Sequence, residues 1–90
     1  MERKDEIIRI FAREIRQILQ RAEADFDRVQ EIRLRVGAPL LIVYKNREYY
    51  VSRSGSLHIG GRDVHVVTRD ELRETMEYIS SYSLYAFEEE

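Results

Sequence analysis

The sequence predicts an α+β fold, in which a small antiparallel or mixed sheet packs against a helix from each end of the chain. Two observations predict this class. Near both ends, apolar residues recur every three or four positions, which is the period of a helix. Between the ends, apolar residues occupy every second position or form a short continuous run, which is typical of strands. The 90 residues suffice for one small domain, and 43% hydrophobic with 36% charged residues is typical of a folded chain.

The first element is predicted to be one helix over about 4–24. Acidic residues near its start would interact favourably with the helix dipole. Arginines occupy the positions between the apolar ones, where a solvent-exposed face is expected. The apolar stripe consists of Ile7, Ile8, Phe11, Ile15, Ile18, Leu19 and Ala22.

The middle of the chain is predicted to form antiparallel strands at about 31–36, 40–45 and 48–53. Residues 31–36 alternate between charged and apolar, and 37–39 read Gly-Ala-Pro, which predicts a turn or bulge. Residues 40–44 are apolar throughout, which predicts a central strand covered on both faces. Asn46 is the residue best suited to a positive φ in the hairpin turn that follows. The segments 57–59 and 64–67 are candidates for two further short strands.

A second helix is predicted over about 69–81. Thr68 and Glu71 have the spacing of a capping box, in which each side chain hydrogen-bonds to the backbone N–H of the other residue. The serine-rich stretch 80–83 is expected to weaken this helix, because serines compete for backbone hydrogen bonds. Ser83 would then cap a helical stub over about 84–90.

Composition excludes several classes of function. The chain has no cysteine, so neither a disulfide framework nor a thiolate metal site is possible. Its longest apolar run, 40–44, is far too short to cross a bilayer, and the amino terminus does not resemble a signal peptide. We therefore expect a cytoplasmic location without insertion into a membrane. The net charge of −2 argues against a nucleic-acid partner.

No catalytic or metal-binding motif is found in the sequence. His58 and His65 lack further ligands at metal-binding spacing, and Gly60-Gly61 lacks the pattern of a phosphate-binding loop. We therefore predict that this chain is not an enzyme, with no catalytic residue, no bound metal and no cofactor.

Arg33 and Arg35 are the candidate polar site. Both are predicted to project from one face of a strand, and guanidinium groups bind phosphate oxygens bidentately. The alternative interpretation is structural: beside Glu31, the two arginines would form cross-strand ion pairs on the solvent side of the sheet.

Three stretches of the sequence resemble a known family. "EIRLRVGAPLLIVY", "REYYV" and "VVTRDELRETMEYISSYSLYAFEEE" resemble the amino-terminal region of the stage III sporulation protein AA family, over residues 31–90. That family is similar to type II and type IV secretion ATPases, whose motor domain follows a PAS-like domain. The resemblance implies that this chain is such an amino-terminal domain, cut before the P-loop motor domain.

The resemblance also implies a function. The family is expected to act as a mother-cell ATPase that powers the channel complex between mother cell and forespore, with ATP and Mg²⁺ bound by the motor domain. The expected partners are the motor domain of its own chain, neighbouring subunits and the membrane channel proteins. Arg33 and Arg35 are the residues that would approach nucleotide, and Glu31, Tyr85 and Phe87 are interface candidates.

Two other functions remain open at the level of sequence. A free-standing interaction module would use the sheet edge and the surface around Tyr85 and Phe87. A small RNA- or DNA-binding domain would use the arginines of the first helix, with Tyr44, Tyr49 and Tyr50 as stacking platforms.

Overall fold

The computed structural model describes residues 3–60 and 63–88, with side chains for 4–60 and 63–80. It confirms the α+β class: three helices and a four-stranded antiparallel sheet. In chain order the elements are α1 (Arg3–Ile8), α2 (Arg13–Arg21), a 3₁₀ turn (Phe26–Arg28), β1 (Val29–Arg33), β2 (Leu41–Tyr44), β3 (Arg47–Val51), β4 (Leu57–His58) and α3 (Arg69–Glu88).

The predicted single helix over 4–24 is in fact two helices, α1 and α2. The reason is a long-range contact: the Lys4 ammonium donates to the carbonyls of Gln20 at 2.6 Å and Ala22 at 3.3 Å, at the end of α2. In one straight helix, residues 4 and 20 would lie roughly 24 Å apart. The break lets α1 fold back beside α2, so that Lys4 satisfies carbonyls that α2 leaves unpaired.

The strands are ordered β1-β2-β3-β4, each antiparallel to its neighbour. Between β2 and β3 the chain turns through Lys45 and Asn46, both with positive φ, as a type I′ hairpin turn requires. The first strand is displaced from the predicted 31–36, because the amide of Ala38 bonds to the carbonyl of Arg35 at 3.0 Å and closes a turn. The predicted short strand at 57–59 is present as β4.

The predicted strand at 64–67 is not a regular strand. Only isolated bridges are formed there, Pro39 with Val66 and Ser52 with Val64. Proline lacks the N–H that a ladder requires, so the pairing of this segment with 37–40 is interrupted. Single bonds remain on either side of Pro39, from Leu40 N to His65 O at 2.9 Å and from Val67 N to Ala38 O at 2.9 Å.

The last helix, α3, begins with the predicted capping box. The Thr68 amide donates to Glu71 Oε1 at 2.9 Å, and the Glu71 amide donates to Thr68 Oγ1 at 3.2 Å. The predicted break near Ser83 is wrong, because one helix continues to Glu88. Serine costs only a few tenths of a kcal/mol in a helix, which is too little to end one. Of the predicted stub 84–90, residues 89 and 90 lie outside the described residues.

Among the described residues, the core lies on one side of the sheet. Buried side chains of β2 and β3 pack against α1, α2 and the 3₁₀ turn; the central members are Ile15, Leu19, Phe26, Leu40, Ile42 and Val51. The prediction that β2 is covered on both faces is therefore wrong. Ile42 is 0% exposed, but its neighbours Leu41 and Val43 point to the other face and are only half-buried.

Candidate interaction site on the outer sheet face

The sheet presents a second face, here called the outer sheet face, that no described helix covers. Residues paired across antiparallel strands point to the same side. The strand register therefore defines this face as Glu31, Arg33, Leu41, Val43, Glu48, Tyr50 and His58. It combines a half-buried apolar strip on β2 and β3 with a group of charged side chains.

Arg33 is at the centre of those charged side chains. Its Nε and Nη2 donate to the two carboxylate oxygens of Glu31, each at 3.1 Å, and its Nη1 donates to Glu48 Oε2 at 3.1 Å. The side chain of Arg33 is 30% exposed, less than either carboxylate. The structural interpretation of Arg33 as an ion-pairing residue of the sheet surface is thus confirmed, and two carboxylates compensate its charge.

The electrostatic consequence falls on Glu31. The hydrogen bonds from Arg33, then its positive charge, hold the pKa of the Glu31 carboxyl below its ordinary value of 4.5. Hydrogen bonds to Glu31 and then to Glu48 in turn raise the pKa of Arg33 above its ordinary value. Both shifts favour the charged forms, so the ion pair is maintained at neutral pH.

This ion pair predicts a weak pH dependence. Because the folded-state pKa of Glu31 is depressed, its contribution to stability is present above the unfolded-state pKa and is lost as pH falls through the folded-state value. Replacing Arg33 with glutamine should raise the Glu31 pKa, as measured by NMR titration of the side-chain carboxyl. Arg47→Gln, on an exposed position of β3, is the control. An unchanged Glu31 pKa in Arg33→Gln would contradict the pairing.

Arg33 and Arg35 come together, although not on one strand. Arg35 lies beyond the end of β1, in the turn that follows, so the prediction of a shared strand face is wrong. Both side chains nevertheless line a notch of about 120 Å³, together with Ala38, Pro39, Leu41 and Tyr50. Clefts that enclose small ligands are usually several hundred Å³ in volume, so this notch is too small to enclose a whole nucleotide.

The remaining interface candidates are only partly placed. Tyr85 and Phe87 belong to the last turns of α3, where side chains fall outside the described residues. Of the three tyrosines considered for base stacking, Tyr44 and Tyr49 pack edge to face, with ring centroids 6.4 Å apart, and lie against the core. Their rings are thus used internally, and Tyr50 is the member of this set that belongs to the outer sheet face.

A second group of polar residues has no counterpart in the sequence predictions. His65 Nε2 lies 2.8 and 2.7 Å from the two carboxylate oxygens of Glu71, and the two side chains are 13% and 12% exposed. They line a polar cleft of about 500 Å³ with Glu14, Gln17, Ile18, Arg21 and Arg53. Its lining comes from distant parts of the chain, so no local motif marks it.

The described residues form neither a metal-binding cluster nor a membrane-spanning helix. Within 4–60 and 63–80, no three or more histidine, cysteine, aspartate or glutamate side chains are grouped so as to hold a metal ion. In the same part of the chain, no helix combines the length and apolar character needed to cross a membrane.

Together these features define a small α+β domain with α1 and α2 on one face of its sheet and, on the other, a partly apolar face that no described element covers. The model of the family described as sporulation stage III, protein AA matches residues 1–90, and the chain belongs to this family. No curated protein and no solved structure matches it. The PAS-like relationship therefore stays a prediction.

Proposed function

We propose that this chain is a non-catalytic assembly domain of a mother-cell sporulation ATPase, and that it binds other parts of the assembly through the outer sheet face. Membership of the stage III sporulation protein AA family supports the biological setting. The observation that carries the proposal is the apolar strip of that face, which no described element covers.

The physical character of this face suits a protein partner. Leu41, Val43 and Tyr50 supply apolar surface on adjacent strands, and burial of such surface drives association. The charged groups beside them already satisfy one another, since Arg33 bonds to Glu31 and Glu48. A partner that covers them would bury a paired network rather than an isolated charge, which lowers the desolvation cost.

The proposed partners are the motor domain of the same protein and neighbouring subunits, with the membrane channel proteins beyond them, in the mother-cell cytoplasm. ATP and Mg²⁺ would be bound by the motor domain. Of the two arginines, Arg35 is the better candidate to approach nucleotide. Arg33 is held by two carboxylates, whereas Arg35 is exposed and has no ion pair with the described residues.

The interface is tested in a full-length family member by substituting Val43→Lys at the equivalent position. A lysine on the apolar strip should weaken assembly in sedimentation velocity and lower ATPase turnover. Gln20→Lys adds the same charge at an exposed position of α2, on the opposite side of the sheet, and should do neither. Unaltered assembly and turnover in Val43→Lys, with an unchanged unfolding midpoint, would refute the proposed interface.

The nucleotide role is tested separately with Arg35→Ala and Arg33→Ala in the same protein. Arg35→Ala should reduce ATPase turnover while oligomers persist, and Arg33→Ala should have the smaller effect. Unchanged turnover in both variants would exclude these arginines from the nucleotide site without affecting the proposed interface.

A further inference from the structure

We infer that the polar cleft between α2, the β3–β4 turn and the start of α3 binds the phosphate group of a small molecule. The cleft is lined by α2, Arg53, His65 and Glu71, and so lies apart from the outer sheet face. The inference therefore does not depend on the proposed function. A volume of about 500 Å³ is within the usual range for small-molecule sites.

The argument begins with the cationic groups. Arg21 Nη1 donates to the backbone carbonyl of Arg53 at 2.9 Å, which fixes the Arg21 guanidinium at the β3–β4 turn. A carbonyl is neutral, so this bond orients Arg21 without compensating its charge. Arg53 itself lines the same cleft and makes no ion pair with the described residues. Two arginines that line one cleft can supply guanidinium N–H donors to the several oxygens of a phosphate.

The two carboxylates that line the cleft, Glu71 and Glu14, differ in their hydrogen bonding. Both oxygens of the Glu71 carboxylate accept from His65, and one of them also accepts from the Thr68 amide. Glu71 is therefore occupied by donors of the protein itself. Glu14 lies on α2 and is exposed, with no ion pair to the described residues. Glu14 takes no part in the capping box, so it is the lining carboxylate through which repulsion of an anion can be tested.

The turn that carries Arg53 is held firmly in place. The hydroxyl oxygens of buried Ser52 and of Ser54 are hydrogen-bonded at 2.9 Å. Ser52 Oγ also accepts from the Ser56 amide at 3.0 Å. The carbonyl of Gly55 accepts from the Glu23 amide at 3.0 Å, just after the end of α2. The two arginines are thus carried by elements that are bonded to each other before a ligand arrives, and such preorganisation lowers the entropic cost of binding.

The inference is tested by NMR titration of the isotopically labelled 90-residue chain with inorganic phosphate and, separately, with glycerol phosphate. Saturable shifts should be confined to residues that line the cleft. Stronger binding of glycerol phosphate would identify a phosphorylated small molecule as the ligand class; equal binding would identify the free ion. An absence of saturable shifts with both compounds at millimolar concentration would overturn the inference.

Substitutions at the cleft should change phosphate affinity in opposite directions. Arg53→Gln keeps the backbone carbonyl that holds Arg21, and should weaken phosphate binding at least about tenfold, as should Arg21→Gln. Glu14→Gln removes a repulsive charge and should tighten binding. Arg47→Gln removes an arginine elsewhere on the surface and is the control. Equal binding by Arg53→Gln and Arg47→Gln, or weaker binding by Glu14→Gln, would contradict the site.

Discussion

Replacing Gly55 with alanine should destabilise the folded chain by about 2–5 kcal/mol, the sum of a backbone and a packing penalty. Gly55 has a φ of +95°, where residues with a side chain are strained. A Cβ at this position would overlap the backbone carbonyl of Arg21 at the end of α2. Either the β3–β4 turn or the end of α2 must then move.

The other glycines separate these two causes. Gly37 also has a positive φ, of 80°, but a Cβ there would have nothing within 4 Å. Gly37→Ala should therefore cost only the backbone term, about 1–2 kcal/mol. Gly60 has neither a positive φ nor a close neighbour, so Gly60→Ala should change stability by no more than about 0.5 kcal/mol.

Urea unfolding of the three variants measures these differences. The expected order of destabilisation is Gly55→Ala, then Gly37→Ala, then Gly60→Ala. If Gly55→Ala cost no more than Gly37→Ala, the β3–β4 turn would not be seated against α2 as described. Because that contact also places Arg53 beside Arg21, Gly55→Ala should weaken phosphate binding at the polar cleft as well.

Features set by nearby residues could be predicted from the sequence. The capping box requires only Thr68 and Glu71, three residues apart, and both of its hydrogen bonds are formed. The positive φ at Asn46 is likewise a property of a two-residue turn. In such cases the partners are fixed by chain connectivity, and few alternative arrangements compete.

Features set by distant residues could not be predicted. An unbroken apolar stripe favours one long helix, yet Lys4 and the end of α2 are brought together by a break that the stripe does not mark. The polar cleft combines Arg21, Arg53, His65 and Glu71, whose proximity depends on how α2, the sheet and α3 pack. For Arg33 the sequence indicated an ion pair beside Glu31, but its second partner, Glu48, was set by the strand register, which the sequence alone left open.

The start of α2 shows a further long-range dependence, because its first N–H groups are satisfied by α3. Ala12 occupies the N-cap position and has no side-chain oxygen to accept from the helix. Instead, the Ala12 amide donates to Thr75 Oγ1 at 2.9 Å, and the Arg13 amide donates to Glu74 Oε2 at 3.1 Å. Ala12 and Thr75 are both buried, so water cannot replace this hydrogen bond.

Replacing Thr75 with valine should therefore destabilise the protein by about 1–3 kcal/mol. Valine keeps the shape of threonine but leaves the buried Ala12 N–H without an acceptor. Thr75→Ser retains the hydroxyl and deletes one methyl group, which should cost about 0.8 kcal/mol. Urea unfolding gives both values, and the serine variant is the matched control for the hydrogen bond.

Amide hydrogen exchange distinguishes loss of this bond from general loosening. Thr75→Val should raise the exchange rates of the Ala12 and Arg13 amides more than those of core amides in β2. Thr75→Ser should leave the ratio of these two sets of rates unchanged. A uniform rise across both regions would mean that the valine affects packing alone. A selective rise would show that α3 stabilises the first turn of α2. Because α2 also carries Glu14 and Arg21, a displacement of α3 would then alter the position of two residues that line the polar cleft.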